Sequence, residues 1–422
     1  MAIPISERDI RVKAQKGLFD LPFYLILIHL FFDYGRPQSF FPIIGALHPG
    51  YILHTLLFLC LFLKGKLLNF KNIQTKCFLG LLLLMMLHGP IAVNNYWAYQ
   101  VWRTITLYFI VYLSIISFVD SFPKIEKYIN IWIVINLLGA IIGIKNGGKI
   151  PNSGFMGDEN DFALVMNMAI PFAYFMFLET NSTKKKILYL SACCIFIAAN
   201  VASFSRGGFV GLVPVILYCW YKTPKKVLST VIVAIMISIL YFSASSKYWQ
   251  EVKSIKEENI QKGTGEERIY QWKIGWNMFL DNPLIGVGQG NFPFRFREYE
   301  IAAGFYEGLH GRSRAGRAAH SIYFTLIPEL GILGILLFGG MIYFSYKDLK
   351  WILKIEKDFL FKQQSDKTIQ KLHKIRFIIF GITGAMLGYL ISGIFLSVLY
   401  YPHFWLLIAL CVALRNIVQN RV

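Results

Sequence analysis

Gly316-Arg317-Ala318-Ala319-His320-Ser321-Ile322-Tyr323-Phe324-Thr325-Leu326-Ile327 (316–327) marks the point where a polar insert, 243–319, gives way to an apolar run. On either side of that insert the chain is apolar almost throughout, in stretches of helix length. Of 422 residues, 55% are hydrophobic and only 16% charged, with a mean hydropathy of +0.50. A water-soluble core cannot hide that much apolar surface. The chain therefore reads as an all-α polytopic membrane protein, in three regions: helices one to nine over 1–242, a lid-like loop with amphipathic helices over 243–319, and helices ten to twelve over 320–422.

Crossing ~30 Å of hydrocarbon takes about 20 apolar residues. Runs near that length occur at 19–34, 45–63, 76–92, 101–119, 125–144, 161–178, 186–203, 207–221, 227–243, 320–346, 375–398 and 402–418, which predicts twelve spans. Arg8, Arg11, Lys13 and Lys16 precede the first run without a small-residue cleavage site after it, so that run is expected to stay as a span. An even number of spans places both termini on one side. That side, with the loops at 64–76, 120–127, 179–186, 222–226 and 347–376, holds 27 of the 43 Lys and Arg residues. The opposite short loops hold five: Arg36, Arg103, Lys145, Lys149 and Arg206. Positive charge is retained in the cytoplasm, so the insert, Arg206 and His320 are predicted to face the periplasm of a bacterial inner membrane. ATP and nucleotide sugars are absent from that side.

The net charge of +19 is spread over many loops rather than gathered on one soluble module. Membrane lipids, not nucleic acid, are the expected partners. Trp351, Ile352, Ile355, Phe359 and Leu360 among the basic residues of 347–376 predict an interfacial helix there. The six cysteines all fall in or beside apolar runs without a CxxC pair, and there is no HExxH or GxSxG, so neither a metal nor a cofactor is implied.

Three places can carry chemistry. Ser205-Arg206-Gly207-Gly208 opens a span from the outer side, so a guanidinium and the positive end of a helix dipole meet there. An ordinary interfacial arginine is the alternative. Arg268 sits beside a predicted amphipathic stripe of Ile269, Trp272, Trp276 and Phe279, expected to lie on the bilayer surface; its plain role is an ion pair with Glu266 or Glu267. Tyr248, Trp249, Val252 and Ile255 predict a second stripe. His320 opens the tenth span among Arg312, Arg314 and Arg317, whose charges disfavour imidazolium and leave a neutral ring able to take a proton. Arg314, Arg317, Tyr323, Asp158 and Asn160 are further candidates for substrate contact, although Gly157-Asp158-Glu159-Asn160-Asp161 also reads as a helix cap. Gly286-x-Gly288-x-Gly290 follows a helix instead of a strand, so it predicts a turn and not a dinucleotide site.

Taken together, Ser205-Arg206-Gly207-Gly208, Arg268-x3-Trp272, Asn282-Pro283-Leu284-Ile285-Gly286-Val287-Gly288-x-Gly290-Asn291-Phe292, Ala319-His320-Ser321-Ile322-Tyr323 and Glu329-Leu330-Gly331-Ile332-x-Gly334 resemble the O-antigen ligase and polymerase superfamily over about 200–345. The resemblance implies a metal-independent membrane glycosyltransferase whose donor is a glycan on undecaprenyl diphosphate. It implies that Arg206 and Arg268 bind the diphosphate while His320 deprotonates an acceptor hydroxyl, inverting the anomeric carbon. Lipid A-core, a growing glycan and a protein hydroxyl are the acceptors found in such a family, so lipopolysaccharide ligase and polysaccharide polymerase both remain open. A flippase is the reading from another class, but transporters carry charge deep in their spans or broken helices at the midplane. These spans are nearly free of charge.

Overall fold

The computed structural model describes residues 20–224, 226–243, 264–302, 316–361 and 366–420. Among them every regular element is helical. Helices α1 (Leu21–Leu30), α2 (Pro49–Leu63), α3 (Ile73–Ile91), α4 (Asn95–Phe118), α5 (Phe122–Lys145), α6 (Glu159–Glu179) and α7 (Thr183–Ala202) come first. They are followed by α8 (Arg206–Lys222), α9 (Lys226–Ser243), α10 (Thr264–Asp281), α11 (Phe292–Ala302), α12 (Ile322–Phe361), α13 (Asp366–Ser392) and α14 (Pro402–Gln419). Their starts follow local chemistry. Proline occupies the first turn of α1, α2, α5 and α14, where its missing N–H costs no intrahelical bond. Asn94, Asp158 and Ser205 cap α4, α6 and α8 with their side chains.

Each of the twelve apolar stretches holds a helix. Eight helices of the described chain have the length and hydropathy of a membrane span, while Leu21–Gly35 and Pro49–Leu63 are shorter apolar helices. Two of the eight, α6 and α14, are buried over 83% of their apolar window and form the centre of the bundle. The approach of neighbours to α6 is set by small residues: a Cβ on Gly381, Gly384 or Gly388 of α13 would stand 2.9, 2.6 or 3.0 Å from Phe172, Pro171 or Asn167. Close helix contact of this kind is how membrane helices gain packing energy where no water is left to expel.

Two predicted features differ. The 347–376 segment is no separate interfacial helix, because α12 continues to Phe361 and α13 already begins at Asp366. Nothing between Tyr346 and Glu356 breaks a helix, and the extension is held by Arg376 against buried Glu356 at 2.9 Å. Nearby, Arg415 pairs with Asp348 at 3.0 Å. Second, α12 is 40 residues long, roughly 60 Å at 1.5 Å per residue, about twice a bilayer core. Gly331, at φ 61° and ψ −163°, splits it into a short first segment and a remainder long enough to cross alone.

The described part of the insert packs as a layer on that first segment. Ile274, Met278, Val287, Phe292, Phe296, Tyr299 and Ala319 make a small apolar cluster of their own, with Tyr270 and Phe324 against it. The buried face of α10 is therefore Gln271, Ile274 and Met278, all at most 1% exposed, and not the expected stripe. Trp276 is 47% exposed. The register turns because α10 lies between α12 and α11: Gly275 faces Phe292, Phe324 and Pro328, which a flat membrane surface would not require. The stripe of Tyr248, Trp249, Val252 and Ile255 lies outside the described residues.

Candidate functional site

Arg206 is the first residue of α8. Its helix is fixed from below by a buried amide network: Asn167 donates to the carbonyl of Gly208 (2.9 Å) and to Ser392 Oγ (3.0 Å), and Asn200 donates to Asn167 Oδ1 (2.9 Å). These bonds join α6, α7, α8 and α13 just beneath the arginine. Ser205 Oγ accepts from the Gly208 N–H at 2.9 Å and donates to Asn160 Oδ1 at 2.7 Å. Phe204, immediately before, takes a left-handed conformation at φ 51°. At Gly207 a Cβ would lie 3.5 Å from Cβ of Phe395, so the start of α8 rests on that phenylalanine.

Arg268 reaches the same phenylalanine. Its guanidinium carbon stands 5.4 Å from the Phe395 centroid, within the range of a cation–π contact. One turn along α10, Trp272 stacks on Phe324 (centroids 5.0 Å apart, planes 2° apart) and lies 6.5 Å from Phe395. The indole N–H of Trp272 donates to the carbonyl of Ala319 at 3.0 Å. That bond holds the residue directly before His320, so one tryptophan fixes both the arginine helix and the histidine turn.

His320 lies exposed at the rim with φ 48°, a left-handed conformation that a non-glycine residue keeps only when its surroundings impose it. Enough protein surrounds the ring for desolvation, first, and then the charges of Arg268 and Arg317 to lower its pKa below the ordinary histidine value, against the opposing pull of Asp158 and Glu267. The ring is thus biased towards its neutral form. The charges carried by α10, by the turn itself and by the Asp158 cap thus reach the imidazole.

The remaining candidates have visible partners. Arg317 pairs with Glu267 at 3.0 Å with both side chains partly exposed, tying the histidine turn to α10. Asp158 Oδ1 accepts from the N–H groups of Asn160 (2.8 Å) and Asp161 (3.3 Å), as the capping pattern predicted. Asn160 Oδ1 is occupied by Ser205. Tyr323 donates to the Leu390 carbonyl at 3.1 Å, pinning α12 to α13. Arg314 lies outside the described residues. No group of three or more His, Cys, Asp or Glu side chains able to hold a metal ion occurs among the described residues.

Sequence reasoning passed over three structural supports. Asn167 and Asn200 were visible only as lone amides in apolar runs, a signal that marks polar contacts between membrane helices. Phe395 had no signal, because an aromatic residue at a span end is ordinary. Glu329 was read only as part of a motif, yet it is 2% exposed inside an apolar helix. It meets the glycine turn, whose Gly286, Gly288 and Gly290 all have positive φ (79°, 100° and 68°), as a turn and not a nucleotide site requires.

The geometry places the Arg268 guanidinium and the N-terminus of α8, whose first residue is Arg206, beside one phenylalanine, with a neutral-biased imidazole at the rim. Cations and a helix N-terminus suit a diphosphate, and a neutral imidazole suits a proton acceptor. Residues 190–339 match the model of the family described as O-antigen ligase. That span contains Arg206, Arg268, Trp272 and His320, and it ends just after the Gly331 break. No curated protein matches the chain.

Proposed function

We propose that this chain, a multi-pass membrane protein of the O-antigen ligase superfamily and so a membrane glycosyltransferase of the ligase or polymerase kind, moves a glycan from undecaprenyl diphosphate to an acceptor hydroxyl. Arg206 and Arg268 hold the diphosphate, and His320 is the base. The site faces the periplasm of a bacterial inner membrane, on the side that the distribution of Lys and Arg assigns to the insert. The supporting observation is that Arg268 and the N-terminus of α8 share Phe395 as a neighbour, while the His320 ring feels the charge of Arg268.

In the reaction the acceptor oxygen bonds to the anomeric carbon as the bond from that carbon to the diphosphate oxygen breaks. The acceptor proton passes to the imidazole, and the electron pair leaves with the diphosphate. Charge grows on the departing oxygens, so fixed cations there stabilise the transition state more than the ground state. Attack from the face opposite the leaving group inverts the carbon. Lipid A-core and a growing glycan both offer the required hydroxyl, and the unusually basic 312–317 segment suits an acidic glycan or lipid acceptor rather than the commonest ones.

The test is transfer from a lipid-linked donor by purified protein. His320→Ala is expected to insert in the membrane at wild-type level and lose about 10²–10⁴-fold in kcat; full activity in that variant would remove the base. Surface glycans of a deletion strain separate the two family activities. Loss of all attached chains identifies a ligase, and single repeat units left on the acceptor identify a polymerase.

A further inference from the structure

The turn 283–292 does not merely cover the break in α12; it is bonded to it. Val287 N–H donates to the Pro328 carbonyl (2.9 Å) and Gly288 N–H to the Glu329 carbonyl (3.0 Å), while Ile332 N–H donates to Pro283 (2.8 Å) and Leu333 N–H to Leu284 (3.1 Å). Two unwound segments therefore satisfy each other's backbone groups, as buried backbone must. At the centre stands the Glu329 carboxylate, which accepts from Gly290 N–H at 2.7 Å, Phe292 N–H at 3.1 Å and Tyr400 Oη at 2.6 Å. A buried carboxyl is costly unless its oxygens are satisfied, and these three partners are all donors. Burial, then the neighbouring carboxylate, keep the Tyr400 phenol well above the ordinary tyrosine range, so it stays a donor.

Other contacts of this turn lead away from the site. His88 and Gln289 bond to each other at 2.8 Å, Gln289 Nε2 donates to Met85 and Ala98, and Asn291 Oδ1 accepts from Asn94 N–H. These anchor the turn to α3 and α4. Glu329 instead joins it to the 396–401 segment, which follows Phe395 directly. One arm of the clasp runs through Asn282 into α10 with Trp272 and Arg268; the other runs through Tyr400 back to Phe395. The first arm carries Arg268, and the second carries the phenylalanine on which both Arg268 and the start of α8 rest.

We propose that Glu329 is a positioning residue for donor binding: with Tyr400 it sets the register between α10 and the Phe395 segment, and so the placement of Arg268 opposite Arg206. This rests on the reading that the two arginines grip the donor. The expected effect therefore falls on donor KM more than on kcat.

The experiment compares Glu329→Gln, Tyr400→Phe and Gln289→Ala in the full-length protein, by donor kinetics with a lipid-linked diphosphate glycan and by amide hydrogen exchange. Glu329→Gln is expected to raise donor KM about tenfold and Tyr400→Phe about threefold, each with faster exchange in 264–292. Gln289→Ala, which loosens the same turn from the α3 side, is expected to speed exchange in 283–292 while leaving donor KM within twofold. If Glu329→Gln does not accumulate, Tyr400→Phe carries the test alone. Donor KM within twofold of wild type in Tyr400→Phe, or an equal rise in Gln289→Ala, overturns the positioning role. If the wild type transfers no lipid-linked glycan, the catalytic reading fails separately, and exchange decides the clasp: unchanged protection of 264–281 in Tyr400→Phe overturns it, and lost protection upholds it.

Discussion

His320 is held in a left-handed backbone conformation, next to a carbonyl gripped by Trp272 and near a guanidinium that disfavours its protonated form. With a lowered pKa, the neutral ring persists into mildly acidic solution, and activity should fall only when pH drops through the folded-state value, below the ordinary histidine range. The sign for stability is the same: protonating a ring that the fold keeps neutral costs stability as pH falls. Arg317 contributes to the lowering and Asp158 opposes it. Arg317→Gln should therefore move the acid limb of kcat upward in pH, and Asp158→Asn should move it downward; limbs unmoved in a pH–rate profile would mean another group titrates. The candidate residues themselves were legible, since arginine and histidine at span mouths stand out against apolar sequence. Their common neighbour Phe395 was not, because nothing in a sequence says which of 36 phenylalanines lies beneath a guanidinium.

Helix identity was equally legible at the scale of elements, and helix geometry less so. Apolar length alone located each of the twelve helices to within several residues at most of their ends. The break in α12 was not readable, because Glu329-Leu330-Gly331 continues a helical pattern and only the bonded turn makes the unwinding favourable. Likewise the buried face of α10 follows from its two neighbours, not from its own periodicity. Gly331 sits in a region of φ and ψ open essentially to glycine, and a Cβ there would lie 2.6 Å from the backbone of Leu284. Gly331→Ala should cost about 1–3 kcal/mol from the backbone alone, seen as a thermal transition in detergent lowered by at least a few degrees. An unchanged transition would show that the break relaxes freely.

Viewed whole, the molecule assembles its candidate site from segments far apart in sequence: the mouth of α8, the second turn of α10, the entry to α12 and the segment after α13. A bundle with α6 and α14 at its centre brings those ends together, and the amide network under α8 and the clasp at Glu329 fix them from two sides. Convergence on one ligand is the claim on which the proposed chemistry depends, and a double-mutant cycle on donor KM tests it most directly. Arg206→Gln and Arg268→Gln are each expected to weaken donor use by roughly 10–100-fold, and the double variant by clearly less than the product, because groups sharing one ligand couple by about 0.5–3 kcal/mol. Additivity to within about 0.5 kcal/mol, the behaviour of independent sites, would contradict a shared diphosphate.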